Sequence, residues 1–142
     1  MYDVAVIGCG IVGAAAAYEL SRYNCRVLVL EAKNDVANVT TKANSAILHA
    51  GYDPTPGTLM AETNVRGVAL AKELCEKLDV EREEIGSLVL AFGEEDERHL
   101  EKLYQQGLAN GVPGIELLTA DEVHALEPNV SDKVTAALYA PT

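Results

Sequence analysis

Val4-Ala5-Val6-Ile7-Gly8-Cys9-Gly10-Ile11-Val12-Gly13 decides the fold: four apolar residues run straight into G-x-G-x-x-G, and the alanines at 14–17 follow directly. The short apolar run from Asp3 to Ile7, ending in glycines, is expected as a strand buried on both faces. Ile11 to Tyr23 favours a helix, and its consecutive alanines are small enough to let that helix lie close on a sheet. Asn24 is expected to end it in the left-handed position. Arg26 to Glu31, RVLVLE, reads as a second apolar strand. Strand, glycine turn, helix and strand make half of a doubly wound parallel sheet, so the expected class is α/β with a Rossmann-like βαβ opening.

Each glycine of the motif has its own physical task. Gly8 makes the tight turn out of the strand, Gly10 lets backbone approach a pyrophosphate with no Cβ in the way, and Gly13 permits close helix-strand packing. The helix N-terminus offers free N–H groups and about half a positive charge to an anion. Glu31 ends the next strand, where a carboxylate accepts hydrogen bonds from an adenosine ribose. Together these residues point to a dinucleotide, and the rival reading is that the glycines serve only as turn residues. A carboxylate at Glu31 repels the extra phosphate of NADP but does not separate FAD from NAD.

The 142 residues, 49% apolar and 23% charged, fit a single domain with one core and are too apolar for a disordered chain. Eleven Lys and Arg against 22 Asp and Glu give a net charge of −11, which excludes nucleic acid and anionic membrane surfaces as main partners. Cys9, Cys25 and Cys75 form no C-x-x-C pair, so neither a disulfide framework nor a metal cluster is indicated, and a cytoplasmic setting is expected. The uncharged run from Val4 to Tyr18 is too short for a membrane span, follows an acidic residue and is interrupted by glycines. No transmembrane segment or signal peptide is expected.

Beyond Glu31 the punctuation comes from turn residues. Residues 32–58 lack clean periodicity and are rich in Asn, Thr, Gly and Pro; a loop that long in a compact domain is usually functional. Thr58 is expected to cap a helix reaching Leu78, with Leu70, Leu74 and Leu78 as its buried stripe and Cys75 a small core residue beside it. Ser87 to Phe92 reads as a strand, and Glu94 to Asn110 as a helix whose acidic first turn suits the dipole. Ile115 to Leu118 is another strand. Thr119-Ala120-Asp121-Glu122 is a capping box with Leu118 and Val123 as a hydrophobic staple, and it opens a helix that Pro128 closes. Val134 to Tyr139 is the last strand.

Thr40-Thr41-Lys42-Ala43-Asn44-Ser45-Ala46-Ile47-Leu48-His49-Ala50-Gly51 gathers hydroxyls, an amide, a cation and an imidazole. Here the sequence resembles the FAD-dependent oxidoreductases of the D-amino-acid oxidase superfamily, nearest to two branches: the bacterial flavin-linked glycerol-3-phosphate dehydrogenases and the L-2-hydroxyglutarate oxidases. The resemblance is carried by YDVAVIGCGIVGAAAAYELSRYNCRVLVLE, NSAILHAG, the Pro-Gly-Thr of YDPTPGTL, GSLVLAF and LEPNVSDKVTAALYAPT. It covers essentially the whole chain, and NSAILHAG is its most selective part.

The resemblance implies FAD as cofactor. Gly8, Gly10, Ile11, Val12 and Gly13 are then expected at its pyrophosphate, Glu31 at its ribose, and Ala32 with Lys33 toward its adenine end. Thr41, Asn44 and Ser45 are expected near the pyrophosphate and the isoalloxazine ring. It implies a βαβ and flavin-loop region over 1–58 and, over 59–142, an extension toward the substrate domain. Members of the superfamily are several times longer, so the chain reads as the N-terminal part of a longer oxidoreductase or as a truncated product. The expected reaction is oxidation of a small anionic hydroxy compound by hydride transfer to flavin, with sn-glycerol 3-phosphate ahead of 2-hydroxyglutarate. Electrons are expected to pass to a quinone or protein carrier; the expected setting is the cytoplasm or the inner face of the membrane, with a homo-oligomer or a partner subunit as the expected assembly. The rivals are an amino-acid oxidase and a non-catalytic nucleotide-binding module.

His49 is the candidate catalytic residue. As a base it takes the hydroxyl proton while hydride leaves the adjacent carbon, a role suited to imidazole in general. Two alternatives remain at this stage: a structural neighbour of the flavin, and a covalent attachment point. His99 and His124 read as solvated helix residues, Lys42 as a surface lysine, and the cluster from Glu94 to Glu97 as a helix first turn rather than a metal site.

Overall fold

The computed structural model describes residues 1–142, which divide by their internal contacts into two units, Met1–Ile47 and Leu48–Thr142. Ala50, Gly51 and Pro54 are buried within the second unit.

The first unit is a βαβ element: β1 (Val4–Ile7), α1 (Ile11–Leu20) and β2 (Val27–Leu30). β1 and β2 pair in parallel with Val4 opposite Val27 and Ile7 opposite Leu30. Asp3 fixes where the pairing starts, since its carboxylate accepts from the Arg26 N–H at 2.8 Å while its own N–H donates to the Arg26 carbonyl at 2.9 Å. The α/β class holds, but two local expectations do not. β1 is not buried on both faces: its residues alternate between half-buried and exposed, and Ile7 is 87% exposed, because two strands and one helix cannot cover both sides of a sheet. α1 stops at Leu20 rather than Tyr23, and Asn24 has no positive φ. The Arg22 and Tyr23 N–H groups turn back to the Glu19 and Leu20 carbonyls, tightening the exit into short i→i+3 turns that need no left-handed residue.

The second unit contains α2 (Leu59–Leu78), β3 (Ser87–Ala91), α3 (Glu94–Asn110), β4 (Glu116–Thr119), α4 (Ala120–Leu126) and β5 (Ala136–Ala140). The three strands form an antiparallel sheet in the order β3-β5-β4, with Val89 and Leu117 both opposite Leu138. Leu100, Leu103, Val112, Ile115 and Leu138 make one buried cluster, and Leu118, Val123, Val134 and Ala137 the other. Full burial of a side chain such as Leu100 or Leu138 contributes ~1.5–3 kcal/mol.

Local capping follows the sequence. The Thr58 hydroxyl accepts from the Ala61 N–H, and the Glu122 carboxylate accepts from both the N–H and the hydroxyl of Thr119 at 2.8 Å. The leucine stripe of α2 does not become core: Leu70 and Leu78 are exposed, Leu74 and Cys75 are half-buried, and the buried residue of the helix is Ala61 at its first turn. The N-terminal part of α2 is covered where Gly51 packs on Val65, whereas Leu70 and Leu78 face solvent.

Candidate functional site

The glycine turn between β1 and α1 takes the shape its residues demand. Gly8 has φ +94°, and its N–H donates to the Leu30 carbonyl at 2.7 Å, tying the turn to the end of β2. A Cβ on Gly13 would run into the Gly8 carbonyl oxygen, so the close packing expected of that position is a hard steric requirement. Gly10 is the N-cap of α1 and brings no side chain to cap it.

Two residues reach this turn from far along the chain. Glu31 is half-buried, and its carboxylate accepts from the Cys9 N–H at 2.8 Å and from the Lys33 N–H at 2.9 Å. The Cys9 amide foremost, then that of Lys33, holds the Glu31 carboxyl below the usual carboxylate range. Thr41 accepts the Ile11 N–H on its Oγ1 at 3.0 Å. That hydroxyl would lie 3.1 Å from a Cβ on Gly10, so the missing side chain makes room for Thr41 as well as for a ligand. The Ala37 N–H donates to the Cys9 carbonyl at 3.0 Å, which keeps the following loop folded back over the turn. Asn44 closes the loop, donating from Nδ2 to the Thr41 carbonyl at 2.6 Å and accepting from the Ala46 N–H at 2.8 Å.

The result is an open cleft of about 890 Å³ lined by Gly8, Gly10, Ile11, Val12, Gly13, Thr40, Thr41 and Asn44, with Val6, Ile7 and Ala16 supplying apolar wall. Of the four first-turn N–H groups, that of Ile11 is taken by Thr41; those of Gly10, Val12 and Gly13 have no protein acceptor. Backbone donors converging on a helix N-terminus beside an acidic residue suit an anionic, sugar-bearing ligand. Glu31, Ala32, Lys33 and Ser45 are not part of the lining; Glu31 meets the turn through Cys9, and Ala32, Lys33 and Ser45 are exposed.

His49 belongs to the second unit. Its side chain is exposed, and its backbone carbonyl accepts from Asn64 Nδ2 on α2. Thr40 is a lining residue that the sequence reading did not single out, although its place beside Thr41 is the signal that was there to use.

Comparison with known proteins agrees with this geometry. A family model described as FAD dependent oxidoreductase (DAO) matches residues 3–142. A glycerol 3-phosphate dehydrogenase of Caloramator mitchellensis is 51% identical over 142 residues, which are 100% of this chain and 30% of that protein. A mitochondrial L-2-hydroxyglutarate dehydrogenase of Dictyostelium discoideum is 35% identical over 96% of this chain and 31% of its own length. Among solved structures, dithionite-reduced L-alpha-glycerophosphate oxidase from Mycoplasma pneumoniae with FAD bound aligns with a TM-score of 0.89 at 35% identity, covering 99% of this chain and 38% of that one. The chain thus spans about a third of the length of these relatives. With a βαβ glycine turn, an acid at its mouth and a family match along nearly its whole length, the chain belongs to the DAO family of FAD-dependent oxidoreductases.

Proposed function

We propose that the chain is the FAD-binding portion of an oxidoreductase that converts sn-glycerol 3-phosphate to dihydroxyacetone phosphate. The observation that carries this reading is the 51% identity to a glycerol 3-phosphate dehydrogenase along the full chain, together with the open glycine cleft. The residues present fit FAD. A Cβ at position 10 would intrude on the cradle beside Thr41, three N–H groups are free to meet a diphosphate, and Glu31 keeps lone pairs for ribose hydroxyls beyond the two bonds it already accepts.

In this reading Gly8, Gly10, Ile11, Val12 and Gly13 hold the pyrophosphate, Glu31 holds the ribose, and Ala32 and Lys33 lie toward the adenine. Thr41, Asn44 and Ser45 serve the pyrophosphate and ring side. Bound FAD supplies the two-electron acceptor that no side chain of this protein can provide. The chain's own task in the chemistry falls to His49, whose unprotonated ring nitrogen takes the proton of the substrate hydroxyl as that carbon is oxidised. The electrons leave through a quinone or a protein carrier. None of the helices is long and apolar enough to cross a membrane, which fits an enzyme working in the cytoplasm or at a membrane face. L-2-hydroxyglutarate is the second candidate substrate, favoured by the match to the Dictyostelium dehydrogenase.

The test is a fusion in which this chain replaces the matching N-terminal portion of the Caloramator enzyme. Anaerobic mixing with sn-glycerol 3-phosphate should bleach the flavin absorbance, and L-2-hydroxyglutarate should not. His49→Asn should slow that bleaching by ~10²-fold or more while FAD content stays the same. Bleaching by L-2-hydroxyglutarate alone would exchange the two substrates, and wild-type bleaching in His49→Asn would remove the base role.

A further inference from the structure

The segment that follows the candidate base carries no regular secondary structure, yet its backbone carbonyls are nearly all claimed by side chains. Asn64 on α2 donates to the His49 carbonyl. Asn110 on α3 donates from Nδ2 to the carbonyls of Gly51 at 2.9 Å and Pro54 at 2.7 Å, and Gln106 one turn earlier reaches those of Tyr52 at 3.2 Å and Asp53 at 3.3 Å. Three carboxamides from two helices therefore hold five carbonyls between residues 49 and 54.

Steric fit completes the arrangement. Gly51 is buried at φ +111°, and a Cβ there would come within 2.7 Å of Val65 Cγ2. A Cβ on Gly107 would come within 3.2 Å of Tyr52 Cβ, so that glycine lets Tyr52 lie on α3. Asn110 shows which of its atoms matter: both its bonds use the amide nitrogen, while its Oδ1 is buried with no partner. A buried acceptor left unsatisfied is costly and is kept only where the rest of the group is needed.

We propose that Asn64, Gln106 and Asn110 are positioning residues, a carboxamide clamp that fixes the backbone of residues 49–54 and so presents His49 in one orientation to the substrate. The functional half of this inference rests on the reading of His49 as the base. The clamp restricts His49 through its main chain and leaves the exposed imidazole free of protein partners, as a group that must pick up a proton requires.

Two measurements test it. In the chain itself, Asn110→Ala and Asn64→Ala should each speed chymotryptic cleavage after Tyr52 by about tenfold or more and leave β3, β4 and β5 uncut. Gln106→Ala, which removes two longer bonds, gives the same answer if Asn110→Ala fails to fold. Unchanged cleavage in the loop overturns the clamp whatever His49 does. In the fusion enzyme, Asn64→Leu should lower the rate of flavin reduction at saturating substrate by about tenfold, with half-saturation and FAD content nearly unchanged, and Asn64→Gln, which restores a donor, should recover part of it. Faster loop cleavage with wild-type flavin reduction overturns the positioning role, and so does equal loss in the Gln and Leu variants. His49→Asn measured beside them separates the cases: wild-type reduction in that variant removes the base role and the positioning role together, without touching the cleavage result.

Discussion

Gly13 is a position where chemistry and sterics coincide. A methyl there must displace the Gly8 carbonyl, so Gly13→Ala should push α1 off β1 and weaken FAD binding by about tenfold or more, read by quenching of flavin fluorescence on titration. Glu31 sets a pH dependence at the same turn. Its carboxyl is held below its ordinary range in the folded chain, so it adds stability to the first unit above that range. That contribution disappears as pH falls through the lowered value. The melting temperature of the first unit should therefore drop on acidification below the ordinary carboxylate range, and Glu31→Gln should flatten that part of the profile. The glycines were legible in the sequence because each answers to a local steric demand. Thr41 was placed correctly in the loop, but its bond to Ile11 was not readable, since nothing in the intervening residues fixes how the loop folds back.

Helix starts were readable for the same local reason. A hydroxyl at Thr58 and the Thr119/Glu122 pair announce themselves over three residues, and the structure keeps both. Thr58→Ala should cost about 1 kcal/mol in the unfolding of the second unit, and Thr58→Ser should restore most of it; chemical denaturation followed by circular dichroism measures both. What failed was inference about surroundings. The Leu70-Leu74-Leu78 spacing gave α2 correctly, yet periodicity describes a helix face and not the element that covers it. Likewise the run Val4–Ile7 was readable as a strand, while its burial depended on neighbours that these residues do not specify.

Across the whole chain the buried apolar residues are unevenly shared. All of them, from Ala50 to Ala140, lie in the second unit, and the βαβ unit contains none. The first unit should accordingly melt separately and earlier, giving two transitions in calorimetry where a uniform core would give one. FAD at about a hundred times its dissociation constant should raise only the first transition, by ~2.7 kcal/mol of added stability. A single transition, or movement of the second, would show that the two are not independent.

The order of the antiparallel sheet also bears on how the chain comes off the ribosome. β5 lies between β3 and β4, so neither outer strand has a partner until residues 136–140 have emerged. Until then both must wait with their ladders unpaired, and a nascent chain halted a few residues earlier would leave the sheet unassembled.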